Sequence, residues 1–503
     1  MKRINLEVNI IKEPDLEFAY SQKLKNPHDG LTLFGPVDLN SSSHPQKIKY
    51  GLIGTKEGVD LFLDWAKLIN RPILPLNIAS ERLWPMFPGF AAVFHTEFPE
   101  KPVWTKIINK GELIDAASNN DPYIRASNVV EKYVSEIGLA QEKRDEATDI
   151  VMCIVPDIIY KNCRPKSSVI NGEGYRPTPK VIEAFRSGQQ RLFQENASKI
   201  YNFSPDFRRQ LKARAMQYDL PIQIVKEATL YSGPDKNKSR GLTPLSDRAW
   251  NMSTTIYYKA GGKPWKLSSA REGVCYIGIA FKRNDQKKID RTATCAAQMF
   301  LDSGDGVVFL GDPGPWYSPE KKECHLSKPA AKALLENVLK TYADREGKEL
   351  KEIFIHSRSE LNKEEIEGYA EACPENVKLV IIRVKIERNG VKLFREGNFP
   401  VLRGTFLKQD DKTSLLWGSG FKPNLGTYDG WEIPVPLRIR IQYGDATIEQ
   451  VSNDIFSLTK LNYNACRLGD SEPVTIKFSD AVGEILVYNP AVKDIRYKFR
   501  FYI

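Results

Sequence analysis

Five side chains able to hold a phosphate lie close together in the middle of this sequence: Arg208, Lys212, Gln223, Thr255 and Lys259. A phosphate dianion leaves water only where several cations or N–H donors replace its hydration shell. Arg208 and Lys212 are four residues apart, as are Thr255 and Lys259, so each pair shares one face of a helix. Gln223 adds a neutral amide between them. Two amphipathic helices with solvated basic faces would show the same spacing.

The elements that must position these groups are legible nearby. Residues 206–227 predict a helix and then a short strand. Phe207, Leu211 and Met216 give the helix an inward side, and Leu220-Pro221 ends it. Ile222, Ile224 and Val225 favour a strand, with Gln223 on its other face. Thr255 and Lys259 belong to a second helix, which Gly261-Gly262 terminates.

The order of Arg208, Lys212, Gln223 and a distant Lys259 before Gly-Gly resembles the pocket that binds a guide strand's 5′-phosphate in the MID domain of Argonaute proteins. Farther on, GVCYIGIAF at 273–281, EIFIHSR at 352–358 and residues 457–486 resemble successive pieces of a PIWI domain. HDGLTLFGP at 28–36, MFPGF at 86–90, KAGGKPWKL at 259–267 and CAAQMFLD at 295–302 are similar to the Argonaute subunit of SPARTA systems. Those systems pair a short prokaryotic Argonaute with a TIR-APAZ protein. The resemblance implies an α/β chain with a Rossmann-like MID domain followed by an RNase H-like PIWI domain. The expected division is a lead-in over 1–47, MID over 48–262 and PIWI over 263–503.

The resemblance further implies a guide RNA, a single-stranded DNA target, and a TIR-APAZ partner. That partner would form a heterodimer with this chain, oligomerise on activation and deplete NAD⁺ in defence against plasmids or phage. Mg²⁺ is expected with the guide's 5′-phosphate, and the Ile503 carboxylate is its candidate ligand. The tail DIRYKFRFYI alternates apolar and basic residues and predicts a strand. Lys263, Lys266, Arg358, Lys460, Asn462 and Asn464 are candidate contacts to the guide and target backbones. Where the family more often has Tyr or His, this chain has Arg208, whose guanidinium can stack as well as bind phosphate.

RNase H-like nucleases hold two divalent metals with carboxylates, because hard cations want anionic oxygen. Cleaving Argonautes place an aspartate in a strand like I-G-I-D; here Ile277-Gly278-Ile279 is followed by Ala280. Ser357 stands where the second aspartate is expected, so the expectation is a chain that does not cut its target. Asp302, Asp305 and Asp312 fit turns without metal. A nuclease with displaced carboxylates, or the same sensor coupled to a SIR2-type or nuclease effector, are the alternatives. The histidines at 28, 44, 95, 325 and 356 show no ligand spacing. His356 is expected to pack or hydrogen-bond at a strand end, or to touch a nucleic-acid backbone.

The remaining sequence is regular α/β. Strands at 48–55 and 150–155 and a helix over 56–70 build the first unit. Gly54-Thr55 predicts a tight turn, since it lacks the spacing of a nucleotide-binding loop. Residues 164–180 predict a surface insertion. The second unit has strands at 274–281, 294–301 and 306–310, a helix over 329–345, further strands at EIFIHS and KLVIIRVKIE, and a helix over 449–462. The 503 residues carry a formal net charge of +10 with 41% hydrophobic residues, which suits a folded partner of a polyanion. Seven cysteines without a C-x-x-C pair argue against a disulfide framework or structural zinc, and no apolar run spans a bilayer. The expectation is a cytoplasmic protein.

Overall fold

The computed structural model describes residues 7–75, 81–142, 147–169, 172–186, 200–233, 241–283, 293–301, 306–310, 316–318, 323–346, 349–428, 430, 432–486 and 498–502. Its first unit is a parallel four-stranded sheet, ordered Trp104–Ile107, Tyr50–Gly54, Ile150–Val155 and Ile222–Lys226. Every residue of the IVMCIV strand is buried, as a strand covered on both faces requires. The helix Lys56–Ile69 buries Val59, Phe62, Trp65, Ala66 and Ile69. Thr55 caps this helix: its hydroxyl oxygen accepts from Gly58 N at 3.0 Å while its proton goes to Glu227 at 2.8 Å. The Gly54-Thr55 turn is therefore a helix cap.

The second unit is built on a nine-stranded mixed sheet. Glu352–Ser357 runs parallel to both Val274–Arg283 and Lys378–Ile386, and antiparallel strands extend the sheet on either side. The helices Lys328–Glu346 and Lys363–Ala372 lie on one face; Ile448–Leu458 and Val474–Leu486 lie on the other. That is an RNase H-like arrangement, and the elements expected there form close to their predicted bounds. The helix Ile448–Leu458 ends four residues early, with Thr459 as its C-cap. Of the expected C-terminal strand, residues 494–497 and 503 lie outside the described residues, and Phe499–Phe501 form a 3₁₀ turn, with Phe499 and Phe501 buried. No helix among the described residues is long and apolar enough to cross a membrane.

The lead-in joins this second unit. Val8–Ile10 pairs antiparallel with Thr405–Leu407, and Leu16–Glu17 pairs with Lys266–Leu267. Between them, Glu13 accepts Arg403 Nε at 3.0 Å and Lys460 Nζ at 3.1 Å. Lys460 also donates to the Lys25 carbonyl at 2.6 Å, and Arg403 to Thr459 Oγ1 at 2.6 Å. Burial pushes the Glu13 carboxyl up, but Arg403 and Lys460 outweigh it and hold it below its ordinary value. Removing the one carboxylate leaves two buried cations without compensation. Glu13→Ala is expected to cost about 3–5 kcal/mol, visible as a lower urea midpoint.

Candidate nucleic-acid interface

The pocket helix runs Phe207–Ala215. Asp206 caps it, its carboxylate accepting from Arg208 N at 3.0 Å and Arg209 N at 3.4 Å. Phe207, Leu211 and Ala215 bury one side, so Arg208 and Lys212 share another. Lys259 is the last residue of the helix Leu245–Lys259, where a cation meets the negative end of the helix dipole. Gly261, at φ +113°, makes the turn away from it. Lys259 is 1% exposed, and its Nζ donates to the Ile222 carbonyl at 2.7 Å. Lys212 Nζ donates to the Tyr502 carbonyl at 3.3 Å.

Arg208, Lys212 and Lys259 thus converge from two helices on the strand that carries Gln223. Burial, then Lys212 and Arg208, hold the Lys259 ammonium well below its ordinary pKa. Burial, then Arg208, bring Lys212 down to about 7, with Asp206 opposing weakly. Asp206 itself faces Arg164 at 3.3 Å. Three basic side chains therefore share one site, and Asp206, the carboxylate beside Lys212 among the described residues, is already engaged by Arg164. Gln223 is half-buried, and its Nε2 makes only a long contact of 3.4 Å to the Ile224 carbonyl. The Thr255 hydroxyl donates to the Asn251 carbonyl of its own helix at 2.8 Å, which commits its proton within that helix.

An aromatic residue that sequence reasoning missed lies at the rim. Tyr160 is in the helix Asp157–Asn162, just past the C-terminal end of the buried strand Ile150–Val155. Lys226, Arg164 and Arg208 approach its ring to 4.7, 5.1 and 5.8 Å. Burial raises its hydroxyl, but Arg208, Arg164 and Lys226 prevail and leave it below an ordinary phenol. Beneath it, Arg125 is 1% exposed and donates to the carbonyls of Asn119, Asn120, Asn162 and Ser167. That clamp fixes the loop bearing Arg164. The available signal was position, since open α/β sheets bind ligands beyond the carboxyl ends of their strands.

The other sequence-derived contacts are more dispersed. Lys266 pairs with Glu17 at 3.0 Å and Arg358 with Glu472 at 2.6 Å. Lys263 donates its backbone N–H to Asp38 at 2.8 Å. Asn462 donates to Asp470 at 2.8 Å and accepts from Asn464 N at 2.9 Å. Lys460 is a correction: its side chain is fully enclosed by Glu13 and the Lys25 carbonyl, so it ties the lead-in to the core and cannot reach a nucleic-acid backbone. Ile503 lies outside the described residues.

At the other candidate centre, Gly278 pairs with His356 and Ile279 with Ser357, so Ala280 and Ser357 sit at the same end of adjacent parallel strands. His356 is fully buried, its Nδ1 2.9 Å from Thr475 Oγ1, and burial lowers it to about 3. Its imidazole is neutral at physiological pH. Asp302, Asp305 and Asp312 lie outside the described residues, and among those described no three His, Cys, Asp or Glu side chains group to hold a metal.

A protein argonaute of Aquifex aeolicus (strain VF5) is 22% identical over 281 residues, which is 55% of this chain and 35% of that protein. No family model matches. Among solved structures, Clostridium butyricum Argonaute bound to a guide DNA and a 19-mer target DNA has a TM-score of 0.63 at 16% identity, over 99% of this chain and 55% of that one. Aa-Ago with externally bound siRNA has a TM-score of 0.56 at 14% identity, over 98% and 56%. A. aeolicus Argonaute has a TM-score of 0.55 at 13% identity, over 99% and 55%. The chain spans little more than half the length of these structures. It is similar to prokaryotic Argonautes, with a Rossmann-like MID domain followed by an RNase H-like PIWI domain.

Proposed function

We propose that this chain is the guide-binding subunit of a short prokaryotic Argonaute system. It grips the 5′-phosphate of a guide RNA with Arg208, Lys212, Gln223 and Lys259 and recognises complementary single-stranded DNA by base pairing. The observation that supports this reading is the convergence of Arg208, Lys212 and Lys259 on one site where Asp206, the carboxylate beside them among the described residues, is engaged by Arg164. Such an arrangement is costly in the free protein and is relieved by a dianion. The Tyr160 ring beside the site offers a face on which the first base can stack.

Mg²⁺ would bind together with the guide's phosphate, whose oxygens would supply anionic ligands. The Ile503 carboxylate would complete that set, and the ion would neutralise part of the phosphate charge. We also read the chain as unable to cut: Ala280 and Ser357 supply no anionic ligand. Target recognition would then be reported through a TIR-APAZ partner that depletes NAD⁺. Coupling requires that the target-bound state favour a different arrangement of that heterodimer.

The experiment compares 5′-phosphorylated and 5′-hydroxyl RNA guides by fluorescence anisotropy with the purified chain. A preference of at least about tenfold for the phosphorylated guide is expected; equal affinities would remove the pocket reading. Mg²⁺ or Mn²⁺ with guide and labelled DNA is expected to give no cleavage, and a guide-dependent product would restore the nuclease reading.

A further inference from the structure

Residues 387–400 leave the C-terminal end of the strand Lys378–Ile386. Because that strand runs parallel to Glu352–Ser357 and Val274–Arg283, they emerge at the end of the sheet that also holds Ala280 and Ser357. Val391 and Leu393 turn inward against Val401, Leu407, Leu415 and Trp417, which anchors the segment. Phe394, next in sequence, is 74% exposed. Phe399, 45% exposed, stacks on Phe421 with ring centroids 4.4 Å apart and planes 26° apart. Arg395 lies 4.9 Å from the Phe421 ring centroid, and its Nε donates to the Phe399 carbonyl at 3.2 Å.

The Phe399 ring thus rests on Phe421, which the Arg395 guanidinium also contacts, while much of Phe399 faces solvent. An exposed ring held flat against a second ring can present its open side to a base. The charges choose the ligand. Residues 388–399 contain Arg388, Lys392 and Arg395 against the single carboxylate of Glu396. Glu387, just before them, is engaged by Arg438 at 2.7 Å. Rings set among surplus cations suit a base that stacks while its phosphates are neutralised.

We propose that Phe399, backed by Phe421 and Arg395, is a stacking platform for an unpaired nucleobase of a strand crossing this end of the sheet. Phe394 contacts the neighbouring nucleotide, and Lys392 and Arg388 face its backbone. The platform rests on the reading that this chain binds nucleic acid, but it uses none of the residues of the 5′-phosphate pocket.

The test measures anisotropy with two 5′-hydroxyl probes, single-stranded oligodeoxythymidine and a blunt RNA–DNA hybrid. Phe399→Leu is expected to lower affinity for the single strand about tenfold and to leave the hybrid unchanged, while Phe399→Trp restores single-strand binding. Irradiation of a 5-iodouracil oligonucleotide on the wild-type protein is expected to cross-link within residues 394–399. Equal single-strand affinities for wild type and Phe399→Leu overturn the proposal. So does an equal loss for both probes, which would make the contact one of charge or fold, and so does a cross-link that maps only elsewhere. A wild-type protein indifferent to a guide's 5′-phosphate would defeat the pocket and leave the platform standing, because neither probe carries that group.

Discussion

Lys212→Ala combined with Lys259→Ala is expected to weaken binding of a 5′-phosphorylated guide by a hundredfold or more. Each lysine would contribute a charge-assisted hydrogen bond to a largely desolvated dianion, and truncating one partner of such a pair costs about 2–5 kcal/mol. The fold should survive. Among the described residues Lys259 Nζ bonds one backbone carbonyl and Lys212 Nζ another, at 2.7 and 3.3 Å, and neither bonds a carboxylate. Burial first, then Arg208 for Lys212 and Lys212 with Arg208 for Lys259, depress the two ammonium groups, which means that their charges oppose folding. The measurement is guide affinity alongside the thermal midpoint. Undiminished affinity for the phosphorylated guide in a folded double variant would refute the pocket.

Guide loading should also weaken as pH rises from about 7 to about 9. A phosphate monoester loses its second proton near pH ~6, so it is already a dianion across this range. The chain's lysines change instead. Lys212 sits at about 7 in the free chain and Lys259 well below its ordinary value, both driven first by burial, with Arg208 adding for Lys212, and Lys212 and Arg208 for Lys259. Binding a dianion raises both, so loading takes up protons wherever the pH lies between the free and bound values. Affinity then falls by up to about tenfold per pH unit for each proton taken up. A 5′-hydroxyl guide should show a flat profile, and an equally flat one for the phosphorylated guide would exclude proton-linked loading. The same depressed values give the sign for the unliganded fold. Above the folded pKa of Lys212 and below its ordinary value of 10.5, the unfolded chain binds more protons than the folded one. Stability without guide should therefore rise with pH across that window.

Much of the scaffold was legible because its signals are local. The buried strand Ile150–Val155, the helix Lys56–Ile69 and the pair of helices carrying Lys212 and Lys259 follow from periodicity and from Pro or Gly at their ends. The convergence of Lys212 with Lys259 was suggested by resemblance; spacing alone was equally satisfied by two solvated helices. Tyr160 and Arg125 were invisible because their roles arise from contacts across the fold, with the Asn119–Asn120 and Asn162–Ser167 carbonyls in the case of Arg125. Lys460 was misjudged for the same reason, since its partner Glu13 is hundreds of residues away in sequence. Over Phe499–Phe501 the composition is ambiguous: alternation of apolar and basic residues also fits a 3₁₀ turn that buries Phe499 and Phe501.

The pairing of Val8–Ile10 and Leu16–Glu17 with the second unit has a mechanical corollary. The four-stranded sheet is looped out between two segments that are both stitched to the larger body, so it is tethered at entry and at exit. Such a unit cannot swing on a single linker, and its buried side chains join those of the second unit in one continuous core. Its melting should accordingly register as one calorimetric transition shared with its host.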